Sequence, residues 1–273
     1  INDVEKLPIN KKGFRGAILI DEGEFLLSKS LRISKSGVVL RGSGKKATSL
    51  RKIGVLRDAL IYIEGVNDIV ASDTTSVVSK YVPVNSLEIE IESIENLKAG
   101  DEIFIVRPST TEWIKQIGCD HFGGGITALG WKEGDIDLKW KRRIDKIKGN
   151  SIFIDAPLTM PLNIDEASSK VIKYSWDGLI SNVGIENLSL ISDYDTRNTK
   201  DEDHSWTGVS VNNAANCWIR QLSFSHFAGS AVILQSESSN ITVEDCISLV
   251  AISEIGGMRR RTFLTMGQHN LFQ

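Results

Sequence analysis

No stretch of this chain approaches the roughly 20 consecutive apolar residues that a helix needs to cross a bilayer. Charge of one sign is also missing in bulk: 32 Lys and Arg stand against 35 Asp and Glu, a formal net charge of −3. That balance excludes a whole-molecule attraction to nucleic acid or to an anionic membrane, so affinity for a polyanion must come from a local patch. Cysteine is scarce, and three residues cannot all pair within one chain. Cys217 and Cys246 lie in strand-like runs, where a thiol behaves as a small buried hydrophobe. Neither an initiator methionine nor a signal peptide opens the sequence, which is expected to begin after processing or trimming. Amphipathic helix patterns are few; the best is the short STTEWIKQIG after Pro108, with Ser109 as its expected N-cap. HExxH, paired CxxC and GxSxG motifs are absent. RGSGKK ends like a phosphate loop, but Val39 and Lys46 break the GxxxxGKS/T spacing, and a β-turn is the better reading.

What is present is an ordinary globular composition, 41% hydrophobic and 25% charged, laid out as short alternating runs rich in Val, Ile and Phe. Three of these runs share a skeleton. SNVGIENLSLIS from Ser181, ANCWIRQLSFSH from Ala215 and SSNITVEDCISL from Ser238 align on Asn182, Asn216 and Asn240. Ile185, Ile219 and Val243 follow three residues later, then Leu188, Leu222 and Cys246. QHNLF adds Asn270, and the intervals between these asparagines are 34, 24 and 30 residues. Repetition on that scale marks a solenoid. Asn tolerates the left-handed conformation of a sharp corner, so the asparagines are expected to stack at one corner of successive coils about 4.8 Å apart. Their role is structural.

The pattern divides the chain. Residues 1–74 read as N-terminal coils, with turns at Glu22-Gly23, Lys29-Ser30 and Ser36-Gly37. Residues 75–165 lose the repeat and read as a β-rich insertion, with a hairpin around Gly149-Asn150 and the glycine-rich CDHFGGGITALGWKEGD. Residues 166–273 return to coils and stop as a new strand should begin. A solenoid needs a polar cap, so the remainder of the same protein is an expected partner.

RGAILIDEGEF…SGVVLRGSG and the Asn-x-x-Ile/Val corners resemble the right-handed parallel β-helix proteins of the pectate-lyase-like superfamily. The resemblance covers about the first 70 and the last 100 residues. It implies an all-β, right-handed parallel β-helix with a β-rich insertion. The insertion, with GDEIFIVRPSTTEWI, is similar to one in some bacterial polysaccharide lyases. The superfamily also holds glycoside hydrolases, esterases and phage tailspikes, so fold alone does not choose an activity. The paired aspartates of its polygalacturonase branch are not evident.

Three connections are expected to leave one edge of the coils. ISDYDTRNTKDEDHSWT (Ile191–Thr207) is long for a compact domain and carries Tyr194, Asp201, Asp203, His204 and Trp206. SHFAGS carries His226. AISEIGGMRRR carries Glu254 and Arg259, Arg260 and Arg261. β-Elimination removes the proton α to a uronate carboxylate, which requires that carboxylate's charge to be offset, a base, and an acid for the leaving oxygen. Arginine, histidine and tyrosine in these loops supply that set, and tryptophan offers a flat face to a sugar. The expected catalytic residues are therefore His226, Arg259, Arg260, Arg261 and His204, with Tyr194, Trp206, Trp131 and Glu254 binding substrate. Asp201 and Asp203 are candidate ligands for Ca²⁺. Each has a plainer alternative: a solvated basic turn for the arginines, a packing role for either histidine, a solvated acidic run for the carboxylates. His121 and His269 carry less, the latter as a structural neighbour of Asn270. Trp113, Trp131 and Trp140 either shape a sugar subsite or fill the insertion's core.

The sequence thus predicts a secreted, periplasmic or cell-surface polysaccharide lyase acting on an anionic, uronate-containing polysaccharide, with no nucleic-acid partner. A glycoside hydrolase using two of Asp201, Asp203 and Glu254 is the alternative, followed by a non-catalytic glycan-binding or tailspike-like solenoid.

Overall fold

A computed structural model describes residues 1–123 and 129–273. Residues 124–128 of the glycine-rich stretch lie outside the described residues. The chain is nearly all β and forms two compact units, Ile1–Asn67 with Gly178–Gln273, and Asp68–Asp177.

In the first unit the strands pair in parallel; successive passages of the chain visit two sheets in the same order, and a third sheet joins them from Ile180–Ser181 onward. One passage runs through Val38–Gly42, Thr48–Lys52 and Ala59–Glu64. The chain re-enters at Ile180–Ser181, and Gly184–Ser192 then pairs with both Val38–Gly42 and Thr48–Lys52. Thr207–Asn212 pairs with Ala59–Glu64, and Ala214–Ala215 with Ile180–Ser181. Trp218–His226, Ser230–Leu234 and Ser238–Ser239 repeat the order.

This register puts like on like. Leu40, Ile185, Ile219 and Val243 form one column, and Ile33, Ile63, Val211 and Leu234 another; all are at most 2% exposed. Each fully buried side chain contributes roughly 1.5–3 kcal/mol of burial, and these columns are the core. Outside the sheet runs a charged row, Arg41, Glu186, Arg220 and Glu244. Glu186 is fully buried and accepts from Arg41, from Arg220 at 2.5 Å and from Trp218 Nε1 at 3.1 Å. Two hydrogen-bonded guanidinium groups offset the burial of that carboxylate and hold its pKa below the usual carboxylate range. Gly184 is required here: a Cβ would stand 2.2 Å from the Trp218 ring.

The corners are left-handed. Asn182, Asn216 and Asn240 have φ of 57°, 53° and 54° and share one register position, as the repeat predicts. The fourth place belongs to another residue. Leu271 pairs with Thr242, so His269 (φ 57°), not Asn270, stands beside Asn240. The expected alignment slips by one because Asn270 is used differently: its Oδ1 accepts the Ile241 N–H at 2.9 Å.

The second unit is antiparallel, a sheet of Val70–Ser76, Lys170–Ser175, Glu102–Arg107, Leu138–Lys148, Ser151–Ile154 and Glu88–Glu90 in that order. The hairpin at Gly149-Asn150 is present, with Lys148 opposite Ser151. The unit is wider at both ends than 75–165, because Val70–Ser76 and Lys170–Ser175 pair with each other inside this sheet. Trp140, donating to Thr159 Oγ1 at 2.9 Å, joins Ile89, Ile103, Ile105 and Ile152 in its core. The helix Thr111–Gln116 is capped by Thr110 rather than Ser109, and its Trp113 is buried beneath Arg107.

Candidate functional site

Ser192, fully buried at the end of its strand, positions two histidines. His226 ends the next strand over with φ 73°. Its Nδ1 lies 3.2 Å from the Ser192 carbonyl oxygen. A carbonyl only accepts, so Nδ1 carries the proton and Nε2 presents a lone pair. Nε2 makes no hydrogen bond among the described residues. The Tyr194 ring meets the imidazole edge-on, centroids 4.9 Å apart. Burial lowers the His226 pKa from its ordinary 6.5, opposed by the Ser192 carbonyl, and the nearby Arg51 charge lowers it further. The imidazole is therefore neutral at neutral pH, half-buried and singly tethered.

His204 occupies the opposite situation. It is fully buried, with Nε2 3.1 Å from both the Asp201 and Ile252 carbonyl oxygens and Nδ1 2.9 Å from Ser192 Oγ. The two carbonyls place its proton on Nε2, so Nδ1 accepts from the Ser192 hydroxyl. That hydroxyl oxygen in turn accepts the Ser205 N–H at 3.1 Å. Every polar atom of the ring is committed, so the structure makes His204 a lock for its loop and not the expected proton carrier.

The same loop consumes the other expected groups. Asp201 is 8% exposed, and its two oxygens accept the backbone N–H groups of Asp195 (2.9 Å) and Asp203 (3.1 Å). Asp203 pairs with Arg57 at 2.9 Å. Of the expected Ca²⁺ pair, one carboxylate thus closes a backbone turn and the other neutralises an arginine. No cluster of three or more His, Cys, Asp or Glu able to hold a metal exists among the described residues. Arg259 is not a free clamp either. It forms a forked pair with Glu202, one arm at 2.8 Å, which holds the Glu202 carboxyl below and the guanidinium above their usual ranges. Arg259 and Arg57 flank Trp206 at 5.5 and 5.7 Å from its ring centroid, while Trp206 Nε1 donates to the Glu202 carbonyl at 3.0 Å. Trp206 is thus the packing centre of the loop rather than an open sugar platform. Arg260 (φ 55°) donates to Ser253 Oγ at 3.2 Å and to the Ser253 carbonyl at 2.6 Å, fixing its own turn. Glu254 pairs with Lys200 at 3.1 Å. Arg261 is exposed and has no partner among the described residues. Trp131 and His121 belong to the second unit.

Sequence reasoning missed Ser192 and Arg51, and took Glu202 only as a member of the acidic run with Asp201 and Asp203. Arg51 forks onto Glu24 at 3.0 and 2.9 Å and stands 3.9 Å from Asp193. Beside it Lys52, 3% exposed, pairs with Asp58, which also accepts from Ser30 Oγ at 2.8 Å. The signal was available in TSLRK: alternation with an inward Leu50 turns Arg51 outward onto the edge that carries His226.

No protein-family model matches the chain. No curated protein matches it either. Among solved structures it is similar to three phage tailspikes. With that of Pseudomonas phage LKA1 it shares 16% identity at a TM-score of 0.48, over 85% of this chain and 34% of that one. With that of Pseudomonas phage phi297 the figures are 10% and 0.40, over 94% and 42%. With that of Acinetobacter baumannii phage AP22, solved with A. baumannii capsular saccharide, they are 9% and 0.38, over 84% and 41%. The chain spans between a third and just over two fifths of the length of these proteins.

Proposed function

We propose that the three parallel sheets close into a right-handed parallel β-helix, and that this chain belongs to a carbohydrate-active protein cleaving an anionic, uronate-containing polysaccharide by β-elimination. Such a substrate places it in the periplasm, at the cell surface or outside the cell. The observation that carries the reading is the His226–Tyr194 pair: a neutral imidazole with its lone pair free, in edge contact with a tyrosine whose hydroxyl makes no hydrogen bond among the described residues. His226 Nε2 takes the proton α to the carboxylate. The electron pair of that C–H bond forms the new double bond as the glycosidic C–O bond breaks, and the Tyr194 hydroxyl protonates the departing oxygen. Arg51 keeps Nε and Nη2 on Glu24, and its remaining Nη1, 3.9 Å from Asp193, exchanges that residue for the sugar carboxylate and offsets the charge that builds on it. The hydrolase alternative has less support, because Asp201, Asp203 and Glu254 all have internal partners.

The test is incubation with a panel of uronate polysaccharides. Elimination leaves an unsaturated sugar absorbing in the near ultraviolet. His226→Ala and Tyr194→Phe should each lower that rate by about 10²–10⁴-fold, the usual worth of a positioned acid or base. New reducing ends without the absorbance would establish hydrolysis, and neither signal would leave a binding solenoid.

A further inference from the structure

Another corner of the same stack carries polar side chains that folding does not require. Asn187, Gln221 and Asp245 occupy one register position in three successive passages, with φ of 58°, 56° and 51°. Together with Lys45, Cys246 and Ile247 they line an open pocket of about 470 Å³. The side chains of Lys45, Asn187, Gln221 and Asp245 make no hydrogen bond or ion pair with any described residue. Stacked amides at such a spacing commonly bond one another; these do not. Glycine is the least strained occupant of a left-handed corner. Asn and Asp are tolerated there, but Gln gains nothing locally. Cys246 is no nucleophile, since burial raises its thiol pKa and Sγ donates to the Glu244 and Ile219 carbonyls.

We infer that this corner is a separate binding site for a short stretch of acidic oligosaccharide. A cavity in which several polar groups converge over a small apolar floor is the default place for a ligand to bind. The two amides, about one strand spacing apart, each offer a donor and an acceptor to sugar hydroxyls. Asp245 accepts from a further hydroxyl, Lys45 takes a sugar carboxylate, and Ile247 meets the C–H face of a ring. This site rests on the reading that the chain handles acidic polysaccharide, but not on the cleavage chemistry at His226.

The experiment uses ¹⁵N-labelled full chain carrying His226→Ala, so that probes stay intact. Tetragalacturonate, tetraguluronate and neutral cellotetraose are titrated in turn. At least one acidic probe should shift the amides of Asn187, Gln221 and Asp245 and bind at least 10-fold more tightly than cellotetraose. The double variant Asn187→Gly/Gln221→Gly keeps the corner conformation while removing the side chains. It should weaken binding at least 10-fold with no fall in Tm, and Lys45→Gln should abolish the preference for acidic probes. No shift at this corner with either acidic probe at millimolar concentration, or equal binding by the double variant, overturns the proposal. Corner binding in a protein that shows no eliminase activity on any substrate would sink the lyase reading and leave this site standing.

Discussion

The two units bury similar aliphatic side chains in opposite ways. In the first, Ile219 is covered by Ile185 on one side and Val243 on the other, each supplied by a neighbouring passage at the same register. In the second, Ile103 and Ile105 lie on a strand paired antiparallel on both sides, within a core of residues drawn from that unit. A parallel stack uses one solution at every level, so its connections can change without altering the columns inside. An antiparallel sheet has no such level, and its turns set the register directly. Asn216, Gln221 and His226 show the consequence. They are successive left-handed positions in one passage of the chain, alike in backbone and different in chemistry.

A charge in a column is the harshest way to break this comparison. Ile219→Asp puts an unpaired carboxylate at a fully buried position, among the most destabilising changes known, at more than about 4 kcal/mol. The first unit should lose its protection to proteases while a fragment near 68–177 survives. Ile103→Asp should give the reverse result. Loss of both units together in either variant, read by limited proteolysis and mass spectrometry, would show that the two do not fold independently.

The comparison also explains what could be read in advance. Asn182, Asn216 and Asn240 were legible because Asn is a turn residue whose backbone and sequence signals agree. Gln221, His226 and Val250 sit in the same left-handed conformation but look like strand interior, and only the register of the parallel pairing reveals them. The pull of the repeat also placed Asn270 one residue out of register. In the site, the residue types were visible and their partners were not. Glu202, between two aspartates, reads as a solvated charge until a loop two passages on brings Arg259 against it. His204 and His226 look equivalent in sequence, and only burial and the two faces of Ser192 separate them.

Acidity sharpens the contrast between those histidines with a smaller effect. The folded His226 has a pKa below its ordinary 6.5, so in the interval between the two values the unfolded chain binds more protons than the folded one. Stability should therefore fall as pH drops through that interval, and level off below the folded pKa. The same titration removes the base. The acid limb of the eliminase rate should lie below 6.5, and Tyr194→Phe should keep that limb while lowering the plateau. A limb well above 6.5 would assign the proton acceptor to another group.

The smallest effect expected concerns a corner where the stack tolerates a poor residue. Val250 has φ 46° and is 67% exposed, at the break in register where His226 pairs with Ala251 instead of Val250. A β-branched residue in the left-handed region is a genuine outlier. The strain is roughly 1–2 kcal/mol, while placing glycine in the unfolded chain costs about 0.5–1 kcal/mol in added entropy. Because the side chain is mostly in water, Val250→Gly forfeits little burial. The balance favours glycine by up to about 1.5 kcal/mol, a rise of a few degrees in Tm. The same change at a column position, Val243→Gly, should destabilise by several kcal/mol, since Val243 is 2% exposed and capped by Ile219. Opposite signs from one substitution at two valines seven residues apart would separate corner from column. A fall in Tm for Val250→Gly as large as that for Val243→Gly would mean that the Val250 side chain holds the connection that follows it, and that this corner is not free to vary.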